Sequence, residues 1–77
     1  MNKTRRNILK SSINLMEEIR DQISQLSEEE QEAYDNLPEG QQASERGEQM
    51  AENADELYDI SEELDSLIER LTEIIEY

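Results

Sequence analysis

The only proline of this 77-residue chain stands at its midpoint, and it divides two long arms that are charged, periodic and nearly free of helix breakers. Pro38 lacks a backbone donor and drives Leu37 toward an extended conformation, so a helix entering from the N-terminal side must stop near Asn36. Asn36 is expected to close that helix in the left-handed conformation, Gly40 to supply the freedom to reverse, and Ser44 to cap the next helix. Each arm then holds about 34 residues, or about 50 Å of helix. The expectation is one all-α domain over 1–77. It is an antiparallel two-helix hairpin resembling a coiled coil, with a helix over about 3–36, a loop over about 37–43 and a helix over about 44–77. Two hairpins are expected to dimerise into a four-helix bundle.

Periodicity sets how the arms meet. In the first arm Leu9, Met16, Ile23, Glu30 and Leu37 share one heptad position, and Ser12, Ile19, Leu26 and Ala33 are expected at its partner position. In the second arm Met50, Leu57, Leu64 and Leu71 form one series, and Ile60, Leu67 and Ile74 the other. Folding back about Gly40 brings Leu9 near Leu71, Met16 near Leu64 and Ile23 near Leu57. Ile8, Ile13, Leu15, Ile68 and Ile75 fall beside these seams and make the stripes wider than a single hairpin covers, so they are expected at an oligomer interface. Around Gly47 and Asn53 the apolar pattern thins, which predicts a looser end near the loop. Ser27-Glu28-Glu29-Glu30 matches a capping box, but nothing before it breaks a helix, so an unbroken first helix is preferred.

Only 34% of the residues are hydrophobic, 36% are charged, and Phe, Trp, Cys and His are absent. These absences remove disulfides, thiolate and imidazole chemistry, and zinc or di-iron sites, so no catalytic residue, metal ligand or cofactor is expected. No apolar run reaches membrane length, and Ser11, Ser12 and Asn14 interrupt what would be a signal-peptide core after the basic start. A soluble protein of the bacterial cytoplasm is the expectation.

Charge is the other strong signal. The net charge is −14, distributed unevenly: residues 1–27 carry five basic and three acidic side chains, and residues 28–77 carry two basic and 18 acidic ones. Lys3, Arg5, Arg6 and Lys10 lie at the unfavourable end of one helix dipole and Glu69, Glu73 and Glu76 at that of the other, so the hairpin is expected to pair them. Arg46 is expected to meet Asp35 or Glu39. Along the second arm Glu45, Glu48, Glu52, Asp55, Asp59, Glu62 and Glu69 recur at spacings of three and four, interrupted at Ser66. Such a stripe rejects nucleic acid and anionic membranes and attracts basic protein surfaces. It reads either as a solubilising face or as a partner-binding surface that imitates nucleic-acid phosphates. One stripe supplies about two charges per 10.5 Å, against one per about 1.7 Å in duplex DNA. Mimicry therefore needs the first arm's Glu17, Asp21, Glu28, Glu32 and Asp35 as well.

The central segment, Glu29-Glu30-Gln31-Glu32-Ala33-Tyr34-Asp35-Asn36-Leu37-Pro38-Glu39 followed by Ser44-Glu45-Arg46-Gly47-Glu48, resembles a group of small acidic helical proteins of phages and mobile elements of Gram-positive bacteria. That resemblance implies a phage-borne helical protein and supplies no activity or functional residues. The combined expectation is a non-enzymatic protein-binding factor that inhibits a basic host protein handling nucleic acid or defence. The alternative is a structural coiled-coil oligomerisation module or adaptor.

Overall fold

The computed structural model describes residues 1–76 and contains three helices: α1 (Lys3–Asp35), α2 (Glu39–Gln42) and α3 (Glu45–Glu76). The expected end of the last helix at Tyr77 lies outside the described residues. α1 and α3 pack along one another as an antiparallel helical hairpin, 58 × 14 × 14 Å in its Cα extents. Its radius of gyration is 17.4 Å, where a compact domain of this length has about 11.5 Å. The molecule is a rod with very little interior. Ile13, Ala54 and Ile68 are its only buried apolar residues among those described.

α1 opens with Asn2 as N-cap, whose Oδ1 accepts from the Arg5 N–H at 2.8 Å. It then runs unbroken past Ser27. The capping box there stays unused because the Ser27 hydroxyl is turned inward and donates to the Ala54 carbonyl oxygen at 2.8 Å. That bond fixes the register. With Arg20 opposite Asp65, it matches the expected alignment to within about one helical turn.

The reversal works differently from the expectation. Asn36 ends α1 in the right-handed region, at φ −86° and ψ −5°, and no described residue has a positive φ. Pro38, at φ −56° and ψ 146°, instead starts the short α2, and its carbonyl accepts from the Gln41 and Gln42 N–H groups. The chain therefore turns at two corners with a one-turn helix between them. Neither corner needs a left-handed residue. The Gln42 side chain donates to the Tyr34 and Asp35 carbonyls at the end of α1, the first of which also accepts from the Leu37 N–H. Ser44 caps α3 as expected, its Oγ accepting from the Gly47 N–H at 3.1 Å.

Gly40 is helical and exposed, with open space where a Cβ would stand. The glycine that the turn requires is Gly47. A Cβ there would fall 2.5 Å from the Gln42 carbonyl oxygen and against that of Gln41, so only glycine lets the first turn of α3 lie on the backbone of α2. What reads in sequence as a weak point is a site of close contact.

The seam also differs in one of its two series. Leu9, Met16 and Ile23 of α1 and Leu37 just beyond it, with Met50, Leu57, Leu64 and Leu71 of α3, are half-buried in the hairpin as expected. The partner series is displaced by one residue in each helix. It comprises Ile13, Arg20, Ser27 and Tyr34 on α1, and Gly47, Ala54, Ser61, Ile68 and Ile75 on α3. The small residues at positions 47, 54 and 61 bring the backbones close on this side, and Ser27–Ala54 and Arg20–Asp65 bridge it. Ile19, Leu26, Leu67 and Ile74 are consequently turned outward. Ile13 and Ile68, expected at an oligomer interface, lie inside the hairpin at 6% exposure each, and Ile75 is half-buried.

The two glycines should respond to alanine with opposite signs. Gly40→Ala should stabilise the fold by about 0.5–1 kcal/mol, because it restricts the unfolded chain and meets no obstacle. Gly47→Ala should destabilise it by about 1–3 kcal/mol, because its new methyl meets carbonyls that no rotamer change can move. Thermal melting by circular dichroism checks both; stabilisation by Gly47→Ala would contradict the packing described.

Candidate interaction surfaces

Displacement of the seam gives the rod two unlike sides. At 100° per residue, Ile8, Leu15, Ile19 and Leu26 lie about a quarter-turn from the seam on α1. They are 62%, 60%, 48% and 51% exposed. On α3, Leu67 and Ile74 lie to the same side and line a shallow groove with Met16 and Leu71. This apolar strip occupies the half of the rod that holds the termini. Toward the loop it gives way to polar residues on both helices.

Acidic residues gather on the opposite side. The seven expected at the partner-binding surface, Glu45, Glu48, Glu52, Asp55, Asp59, Glu62 and Glu69, are all exposed. They recur with the same seven-residue period as the seam, so the stripe keeps a constant position relative to α1 along α3. Acids of α1 join it at two places. Glu28, Glu32 and Asp35 of α1 border one groove with Asp55 and Tyr58 of α3, and Glu17 borders another with Glu69 and Glu76. These α1 acids are among those that phosphate mimicry was expected to need. The aromatic Tyr58, 56% exposed, also lines the first groove.

Arg20 is the cation that crosses this side. Its Nη1 meets Asp65 Oδ1 at 2.7 Å and its Nε donates to Asp21 Oδ1 at 3.1 Å. The hydrogen bond to Asp65, then that to Asp21, raises the guanidinium above its ordinary range, so it stays charged at every accessible pH. Among the described residues these are the only ion pairs within 4.0 Å. The pairing expected between Lys3, Arg5, Arg6 or Lys10 and the acids at the end of α3 is not formed there, nor is one between Arg46 and Asp35 or Glu39. Lys3 and Lys10 are exposed, and Arg6 enters the seam, where its Nε is buried without a partner among the described residues. Arg5 and Arg70 are exposed.

No group of three or more metal-ligating side chains converges among the described residues, and no helix there is long and apolar enough to cross a membrane. The chain matches no protein-family model, and neither a curated protein nor a solved structure matches it significantly.

With a net charge of −14 and so few ion pairs, self-repulsion should dominate the fold's response to salt. Raising sodium chloride from about 0.02 M to about 0.5 M shortens the screening length from over 20 Å to about 4 Å. The melting temperature at fixed protein concentration should rise by several degrees. A fall would mean that the Arg20 pairs outweigh the repulsion.

Proposed function

We propose that this chain is a small non-enzymatic protein-binding factor of phage or mobile-element origin. It acts in the cytoplasm of a bacterial host as a dimeric four-helix bundle and inhibits a basic, nucleic-acid-handling protein through a phosphate-imitating surface. The observation that carries this reading is the separation of the two sides. Apolar residues available for self-association lie on one, so a dimer formed there leaves the acids of both helices, including Glu28, Glu32, Asp55 and Glu69, facing outward. Convergence of acids from two helices raises the charge density above that of a single stripe, and a second hairpin doubles the number presented. Arg20, the cation among these acids, is paired with Asp65 and Asp21, and the remaining carboxylates suit a partner that normally receives a phosphate backbone.

A second reading is favoured by the exposure of Ile8 and Leu15 alone. In it the chain is a structural oligomerisation module whose acids only keep it soluble.

The two readings separate by affinity capture from a Gram-positive lysate at low salt, using the tagged protein and its Asp55→Asn/Asp59→Asn/Glu62→Gln variant. The first expects basic nucleic-acid-binding proteins on the unaltered bait, released by about 0.5 M sodium chloride or by added duplex DNA. The variant, with unchanged helicity, should retain several-fold less. Equal recovery on both baits, or no recovery on either, would contradict it.

A further inference from the structure

The apolar strip has a symmetry of its own, and it identifies how a second copy docks. Along the outward side of α1 the order is Arg5, Ile8, Ser12, Leu15, Ile19, Gln22, Leu26 and Glu29. These residues are spaced symmetrically about position 17. Ile8 mirrors Leu26, Leu15 mirrors Ile19, Ser12 mirrors Gln22, and Arg5 mirrors Glu29. In an antiparallel pair of identical helices, mirrored positions face one another. Apolar residues then meet apolar ones, polar meet polar, and the single cation meets an acid. α3 repeats the arrangement about Leu67. Ile60 mirrors Ile74, and Glu63 falls within one residue of mirroring Arg70.

The two centres stand at the same height in the hairpin. Register set by Ser27 on Ala54 and Arg20 on Asp65 places position 17 level with position 67 to within about a turn. One two-fold axis, running across the strip through both centres, therefore satisfies both helices at once.

Resting on the self-association proposed above, we infer that two copies dock strip to strip about this axis. α1 lies antiparallel on α1 of the second copy, α3 antiparallel on α3, and the loops project from opposite ends. Arg5 and Arg70, which make no ion pair in the hairpin among the described residues, acquire Glu29 and Glu63 of the second copy as partners. Six large apolar side chains, each about half exposed, form a strip of roughly 500 Å². Two strips with their polar flanks reach the lower range of stable interfaces, about 1,200 Å² in total. Docking with the loops at one end places α1 on α3 of the second copy. It crowds the loop halves together, where residues 28–56 of each chain carry eleven acids and one base. In that arrangement Arg70 falls level with residues 11–15 of α1, which hold no acid, and only Arg5 comes level with one, Glu76. Charge therefore selects the first geometry.

The chain has no cysteine, so Ala43→Cys provides one spin-label site at the exposed loop, remote from the strip. Pulsed dipolar spectroscopy should give a label separation of about 60 Å, since each loop lies about 20 helical residues from the axis. A separation below about 30 Å would overturn the geometry while leaving self-association intact. Absence of any dipolar signal, with light scattering at the mass of one chain, would overturn both. As a second test, Arg70→Glu should weaken the dimer several-fold, and Arg70→Glu/Glu63→Arg should restore it. Failure of the exchanged pair to restore affinity would count against this register.

Discussion

The hydroxyl of Ser27 on the carbonyl of Ala54, with glycine and serine one heptad to either side of that alanine, determines most of what this molecule presents to its surroundings. Small residues let two helices approach until backbone and side chain touch, and Gly47 extends the contact onto the short helix at the turn. This close side consumes Ile13 and Ile68 but has no room for the remaining isoleucines and leucines. They are rotated out of the seam and collect on one side of the rod. The outward strip follows from the inward contact.

A hairpin assembled in this way has little to hold it together alone. Among the described residues no large side chain is fully buried, and the rod shape spreads the few apolar contacts along nearly 60 Å. Small domains generally need a supplementary source of stability, whether a disulfide, a metal or association. The chain has no cysteine or histidine for the first two. Association through the strip would cover the apolar surface and keep the acidic sides apart, which ties the proposed function to the packing rather than to composition.

Much of this was legible in the sequence. The hairpin, its register, the Ser44 cap and the series from Leu9 and Met50 all follow from heptad spacing and the isolated proline. The second series did not, because hydrophobicity ranks Ile19 and Leu26 above Arg20 and Ser27 as core residues. Close helix packing reverses that ranking by favouring whatever is smallest. Recurrence of Gly47, Ala54 and Ser61 at intervals of seven was the available signal. At the turn, Asn36 and Gly40 suggested left-handed geometry by their residue types alone, whereas side-chain bonds from Gln42 and Ser44 allow two right-handed corners instead. The acidic stripe was fully visible, but its junction with Glu28, Glu32 and Asp35 depended on which side of α1 faces α3. The expected terminal charge pairs failed for the same reason.

The central claim is that the outward strip belongs to the folded state as an interface between copies. Sedimentation equilibrium over a wide range of protein concentration tests it most directly, with Leu15→Glu as the control whose charge lies in the middle of the strip. The unaltered chain should reach twice the 9.0 kDa of a single copy at micromolar concentration, and the variant should remain at 9.0 kDa. A chain that stays at 9.0 kDa up to high micromolar concentration, fully helical and cooperatively melting, would contradict the account.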